Sequence, residues 1–464
     1  MEWKNITTID PRTVAAAWFL RRRHRTLWNL PLTAGLVVYI ALLLIRETIE
    51  DPQTNFNLSR QAVLALNQPT VPDDENAAEI YKLAAAAMVP FSGPEELNPL
   101  YKFWEESKTY EISEVQAWLS ANSKTISLLY AAVENERCGW KIDLSIIPNA
   151  SPPLLQIRQL TSLLTNDARS QAHKGDHLGA AKSIATVHKM ARHLESFPSL
   201  MNLLISDAIR SNVYSALEGI LACDTPTINE DLAAYRIALL QDQDLNKRMA
   251  NWANCMEFEK KCSLAFVDGI YAGMLNPPKG IHKPNTFSPL TYGAMRRCYI
   301  AVMDDIISSF CLGKLPEDID ILITRHQIGP ATRVQDMLYF SRIFGSFFST
   351  EEEARLCNTA LAFLQFRIKY GRDAVTLAEL VPEFLSAIPT GVYHVEHVRA
   401  RVVDRCHENH YFARYQSKPA VVIYTVGPNG KDDGGLNESN PDDTHFLIPS
   451  LIETTSGKVS QEKP

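Results

Sequence analysis

The sequence predicts a mainly α-helical protein: a single N-terminal transmembrane helix, an irregular hairpin or solenoid-like helical array, and a small C-terminal α+β domain with an antiparallel sheet. Three observations predict it. An uncharged nineteen-residue stretch follows an arginine cluster, apolar residues then recur at three- and four-residue spacing, and beyond residue 350 the pattern becomes alternating. At 464 residues the chain exceeds what one hydrophobic core usually supports, which favours more than one structural unit. Its 46% hydrophobic and 21% charged content excludes a disordered chain.

The first segment, residues 1–26, is basic: Lys4, Arg12, Arg21, Arg22, Arg23 and Arg25 face only Glu2 and Asp10. The rest of the chain carries the excess acid behind the net charge of -7, so no footprint for nucleic acid exists. "LWNLPLTAGLVVYIALLLI" (27–45) comes next, and as a helix it would span roughly 28 Å, close to the thickness of a bilayer's hydrocarbon core. The positive-inside rule places "RRRHR" in the cytoplasm and the bulk of the chain in the periplasm. A cleaved signal peptide is disfavoured, because no A-x-A site succeeds the span. The membrane is thus the first expected partner, through a single-pass anchor over 27–46.

Residues 47–74 read as a polar, proline-spaced tether with one short helix. The helical array is expected over 75–348. Its first helices are "ENAAEIYKLAAAAM" (75–88) and the stretch 113–140, the latter as one helix or two. In 154–194, Leu154, Ile157, Leu160, Leu164 and Ala168 lie on one helical face, and Leu178, Ala181, Ile184, Val187 and Ala191 repeat the pattern after "KGDH". Gly175 suits the left-handed residue that ends the first helix, and Asp176 suits the cap of the second. Residues 200–223, 229–272, 289–312 and 331–348 read as further helices, with no exact repeat period.

An α+β domain is expected over 349–452. Thr350 and Glu353 have capping-box spacing at its first helix, and Thr376 and Glu379 repeat it before a shorter one. "VRARVVD", "YFARY" and "AVVIYTV" alternate like strands. Residues 453–464 read as a disordered tail.

"AVVIYTVGPNGKDDGG" (420–435) is the stretch that most invites a chemical reading. A phosphate cradle fails, because Lys431 is followed by Asp432 rather than Ser or Thr and Gly427 lies too close to Gly430. Two readings stand. In a hairpin turn the glycines supply positive φ. In a calcium cage Asn429, Asp432, Asp433, Asp442 and Asp443 would be the metal ligands, since calcium takes six to eight oxygens.

The segment "ALAFLQFRIKYGRDAVTLAELVPEFLSAIPT", with "YTVGPNGKDDGG" and "NPDDTHF", resembles the globular head of the major pseudopilins of type II secretion. The resemblance implies a helix, a short turn and a small sheet ending in a glycine-rich calcium loop. In that loop Asn429 stands where the family usually has aspartate, Asp432 or Asp433 near the loop acid, and Asp442 and Asp443 at the closing acids. About 300 residues separate the head from the N-terminal span, so pseudopilin cleavage and filament assembly are not implied. The whole layout also resembles a set of uncharacterised bacterial membrane-anchored proteins.

Other clusters are weaker. His394, His397, Cys406, His407 and His410 contain metal-ligand chemistry, but "HVEH" and "CHENH" match no zinc module and read better as surface histidines. Asp304 and Asp305 diverge by about 100° on a helix, which suits one exposed and one paired acid. Glu257 and Glu259 read as a solvated face. The eight cysteines include no CxxC pair and read mostly as single buried thiols. No catalytic motif is legible, so no catalytic residue is assigned. The sequence therefore points to a membrane-anchored extracytoplasmic binding or assembly scaffold with a protein partner. The alternatives are a metal- or carboxylate-dependent extracytoplasmic hydrolase and a component related to type II secretion.

Overall fold

The computed structural model describes residues 51–66, 71–91, 112–142, 152–223, 225–240, 245–275, 289–312, 325, 340–393, 396–403, 419–427, 429–435 and 443–451. Within them the protein is mainly helical, with one three-stranded antiparallel sheet. The helices are α1 (Pro52–Leu64), α2 (Ala77–Ala87), α3 (Ile112–Ala121), α4 (Ser123–Glu134), α5 (Leu154–His173), α6 (His177–Glu195), α7 (Leu200–Cys223), α8 (Asn229–Leu240), α9 (Leu245–Tyr271), α10 (Pro289–Cys311) and α11 (Phe340–Tyr370).

The α5–α6 hairpin forms where the periodicity placed it. Gly175 takes φ of 81°, and the Asp176 carboxylate accepts the Gly179 N–H at 2.9 Å, which satisfies one of the free amides of the first turn of α6. The buried faces, Ile157, Leu160, Leu164 and Ala168 against Ala181, Ile184, Val187 and Ala191, have the predicted spacing. Asn122 divides 112–134 into α3 and α4, and its buried side chain bonds the backbone of Val89 and Trp118.

The segment expected to be a loose tether is partly docked. Asp51 caps α1 by accepting the N–H groups of Gln53 and Thr54 at 3.2 and 3.1 Å. Helix α1 then lies along α9, where Gly269 permits the approach: a Cβ there would stand 2.9 Å from Phe56 Cε2. Buried Asp268 beside it accepts from Ser59 (2.5 Å), from Tyr292 (2.6 Å) and from Arg296 Nε (3.2 Å), joining α1, α9 and α10.

The anchor expected over 27–45 lies outside the described residues, and among these no helix is long and apolar enough to cross a membrane. The physical reason lies in the helices that have the length. The 27-residue α9 and 31-residue α11 carry Arg248, Glu257, Asp268, Glu351, Glu352 and Arg367 along their course, and they pack inside a protein core. The single-pass architecture, the membrane as a partner and the periplasmic placement are corrected accordingly.

The sheet runs β1 (Arg399–Val403), β2 (Ala420–Thr425), β3 (Thr444–Pro449), in that order, with Arg401 opposite Val422 and Val422 opposite Leu447. All six residues of central β2 are buried, because both faces are covered. Val421, Ile423, Phe446 and Ile448 join the main core with α7 and α11, and Val422, Tyr424 and Leu447 form a smaller cluster on the other face. The expected strand "YFARY" lies outside the described residues, and Thr444–Pro449 supplies the third strand.

Helix α11 is the axis of the molecule. Thr350 does not begin it but sits mid-helix, donating to the Ser346 carbonyl at 2.9 Å. The domain boundary expected at residue 349 therefore falls inside one helix, whose residues share a core with both the array and the sheet.

Candidate functional site

Asp443 closes the glycine-rich loop from the start of β3. Its buried carboxylate accepts three backbone N–H groups, each at 3.0 Å: Gly427 on Oδ1, and Asp433 and Gly435 on Oδ2. Asn429 Oδ1 accepts the Lys431 N–H at 2.6 Å, and its amide donates to Asp433 at 3.4 Å. Asp432 accepts from the Gly434 N–H at 2.9 Å and pairs on its other oxygen with Arg399. Gly430, Gly434 and Gly435 have φ of 69°, 75° and 75°; at Gly435 a Cβ would also lie 2.7 Å from the Tyr424 ring.

Four of the five expected ligands thus share one loop, and Asp442 lies outside the described residues. Within the loop they are engaged as follows. Asp443 accepts backbone N–H groups on both oxygens, and Asp432 pairs with a guanidinium. Among the described residues no group of three or more His, Cys, Asp or Glu side chains could hold a metal. Three backbone N–H groups of the loop converge on the Asp443 carboxylate. Of the histidine cluster only exposed His397 falls within the described residues.

A second polar assembly lies where α11 meets α6, α7 and α9. Glu351, Glu352 and Glu353 are consecutive, about 100° apart around the helix, and each is directed to a different element. Glu351 pairs with Arg248 of α9. Glu352, fully buried, accepts the Val392 N–H at 2.9 Å and the Thr425 hydroxyl at 2.7 Å, fastening the helix to β2. Glu353 turns toward α7; burial, only partly offset by a hydrogen bond from Ser211, pushes its carboxyl up to about 7, and its Oε2 has no hydrogen-bond partner among the described residues.

The network continues from Arg248 to Asp207 at 2.6 Å, and from Arg210 to Glu195 at 2.5 Å, with Ser206 also donating to Glu195 at 2.8 Å. Burial raises Asp207 despite Arg248, whereas at Glu195 the same burial is overcome by Arg210, which holds that carboxyl below its ordinary value. These five charges, on four helices, are occupied with one another.

Beside them opens a cleft of about 500 Å³ between α8, α11 and residues 385–390. Glu351, Ala354, Arg355 and Asn358 line it at helical spacing, Arg236 from α8, and Leu385 and Ile388 from the connecting segment. Arg236 donates to two neutral acceptors, Asn358 Oδ1 at 3.1 Å and Gln365 Oε1 at 2.7 Å. Arg355 donates to the carbonyls of Thr390 and Gly391 at 2.6 and 3.3 Å. Burial lowers the pKa of both, yet neither bonds a carboxylate among the described residues.

The remaining expectations divide. Asp304 pairs with Lys260 at 2.7 Å and Asp305 lies 3.6 Å from Arg325, so both acids have basic neighbours. Glu257 pairs with Lys260 and Lys261, but Glu259 is not solvated: it accepts the Leu200 N–H at 2.8 Å, at the start of α7, and burial raises its carboxyl. The described cysteines are free thiols; Cys138, Cys255, Cys298 and Cys357 are buried. Sequence reasoning misses the Glu351–Glu353 junction and the arginine cleft. The only signal for the junction is apolar residues on every side of "STEEEAR", which marks a helix buried all round.

No protein-family model, curated protein or solved structure matches the chain.

Proposed function

We propose that this protein is a binding or assembly scaffold whose recognition site is the cleft between α8, α11 and residues 385–390. One observation carries the reading. Glu195, Asp207, Glu351 and Glu352 are bonded to arginines, hydroxyls or a backbone N–H, Glu353 keeping one oxygen unbonded among the described residues, while the neighbouring cleft keeps guanidinium and apolar side chains on its walls. Saturated groups hold a shape, and the lining groups receive a ligand.

The test is native mass spectrometry of the full chain against a panel of small acids, amides, esters and phosphate esters, for the chain itself and for Ala387→Trp, which fills the cleft from its exposed rim. Retention of an unchanged compound, lost in the variant, supports the reading. Conversion of a panel member, dependent on the same cleft, would replace it with a hydrolase.

A further inference from the structure

We infer that the cleft selects an oxyanion head group, a carboxylate or a phosphate, carried on an apolar body; this rests on the reading of the cleft as the recognition site. Arg236 and Arg355 stand on its two sides, on α8 and α11. Each is partly withdrawn from water and anchored by neutral acceptors, so its orientation is fixed while its charge is not cancelled by a bonded acid. Arg236 keeps Nη2, and Arg355 keeps Nε and Nη2, without a hydrogen bond among the described residues.

A planar guanidinium with free N–H groups matches two oxygens of a carboxylate or phosphate, and partial desolvation strengthens that match. The acids nearby do not compete for it. Glu351 is engaged by Arg248, and Glu352, close enough to favour the charged form of Arg355, has both oxygens bonded to Val392 and Thr425. Leu245, Leu385, Ile388 and Pro389 provide the apolar wall. A ligand with charge at one end and carbon at the other satisfies both surfaces.

Calorimetry on the full chain at constant ionic strength tests this with hexanoate, its neutral counterpart hexanamide, phenyl phosphate and inorganic phosphate. Saturable binding of hexanoate or phenyl phosphate is expected, with hexanamide weaker by about tenfold or more. Tight hexanoate with weak phenyl phosphate identifies a carboxylate source; the reverse identifies a phosphate. Arg236→Gln should weaken the favoured probe about tenfold while Arg236→Lys retains more of it. Arg355→Gln loosens residues 390–391 as well, so circular dichroism and melting accompany it. Equal binding of hexanoate and hexanamide, or binding unchanged in Arg236→Gln, overturns the inference. If a panel compound is still displaced by Ala387→Trp in that case, the cleft stands as the recognition site and only the oxyanion class fails.

Discussion

Single side chains decide the character of the glycine loop. Asp443 satisfies three backbone donors, so Asp443→Ala strands them and should cost about 3 kcal/mol, measured by urea unfolding. Calcium titration of the unaltered protein separates the two readings of the loop: a concentration-dependent rise in melting temperature is the outcome expected of a cage, an unchanged melting temperature that of a turn. Glu353 sets a pH dependence. Its folded pKa of about 7 lies above the ordinary 4.5, so the folded protein holds this proton longer than the unfolded chain does. Stability therefore falls as pH rises from about 4.5 to about 7 and levels off above. Glu353→Gln mimics the protonated group and should remove that fall, so that at pH 8 the variant exceeds the parent by about 3 kcal/mol while the two converge near pH 4.

Among the elements, α11 depends on charges from other helices. Arg248→Ala leaves Glu351 buried without its cation and Asp207 with Arg210 alone at 3.5 Å, and should cost about 4 kcal/mol in denaturant titrations. Replacing the three together, Arg248→Met with Glu351→Leu and Asp207→Asn, should recover most of it, because no bare charge then remains. The sequence discloses elements in proportion to how local their causes are. The α5–α6 hairpin is legible, since its apolar stripe, Gly175 and Asp176 all lie within it. The start of α11 is not, because Thr350 and Glu353 have the spacing of a cap, while the packing of Phe347, Phe348 and Arg248 around that point carries the helix through. Strand β3 is hidden behind a polar acidic run, although Phe446, Leu447 and Ile448 are buried. The Arg236–Arg355 cleft has no signature at all, for its walls come from segments far apart in the chain.

At the level of the whole molecule, the array and the sheet share one core. Leu447 of β3 donates its N–H to Glu218 of α7 at 2.8 Å, and Phe446 and Ile448 share a core with Leu217 and Leu361. Fragment 349–452 cut from the array loses the α7 side of that core and the first turns of α11. It should give no cooperative transition by circular dichroism, whereas the full chain should melt with a single transition by calorimetry. Two separate transitions would restore an independent domain.

The three adjacent acids of α11 also limit how the length of this chain can vary. Each carboxylate reaches its own partner only at one rotational phase of the helix. A residue added just ahead of Glu351 would turn the remainder of α11 by about 100° and shift it by about 1.5 Å. The Arg248 partner would then face the strand, and the strand's partner would face α7. Natural length differences between related chains should accordingly gather in the exposed turns, with the stretch from Phe347 to Thr359 held at constant spacing.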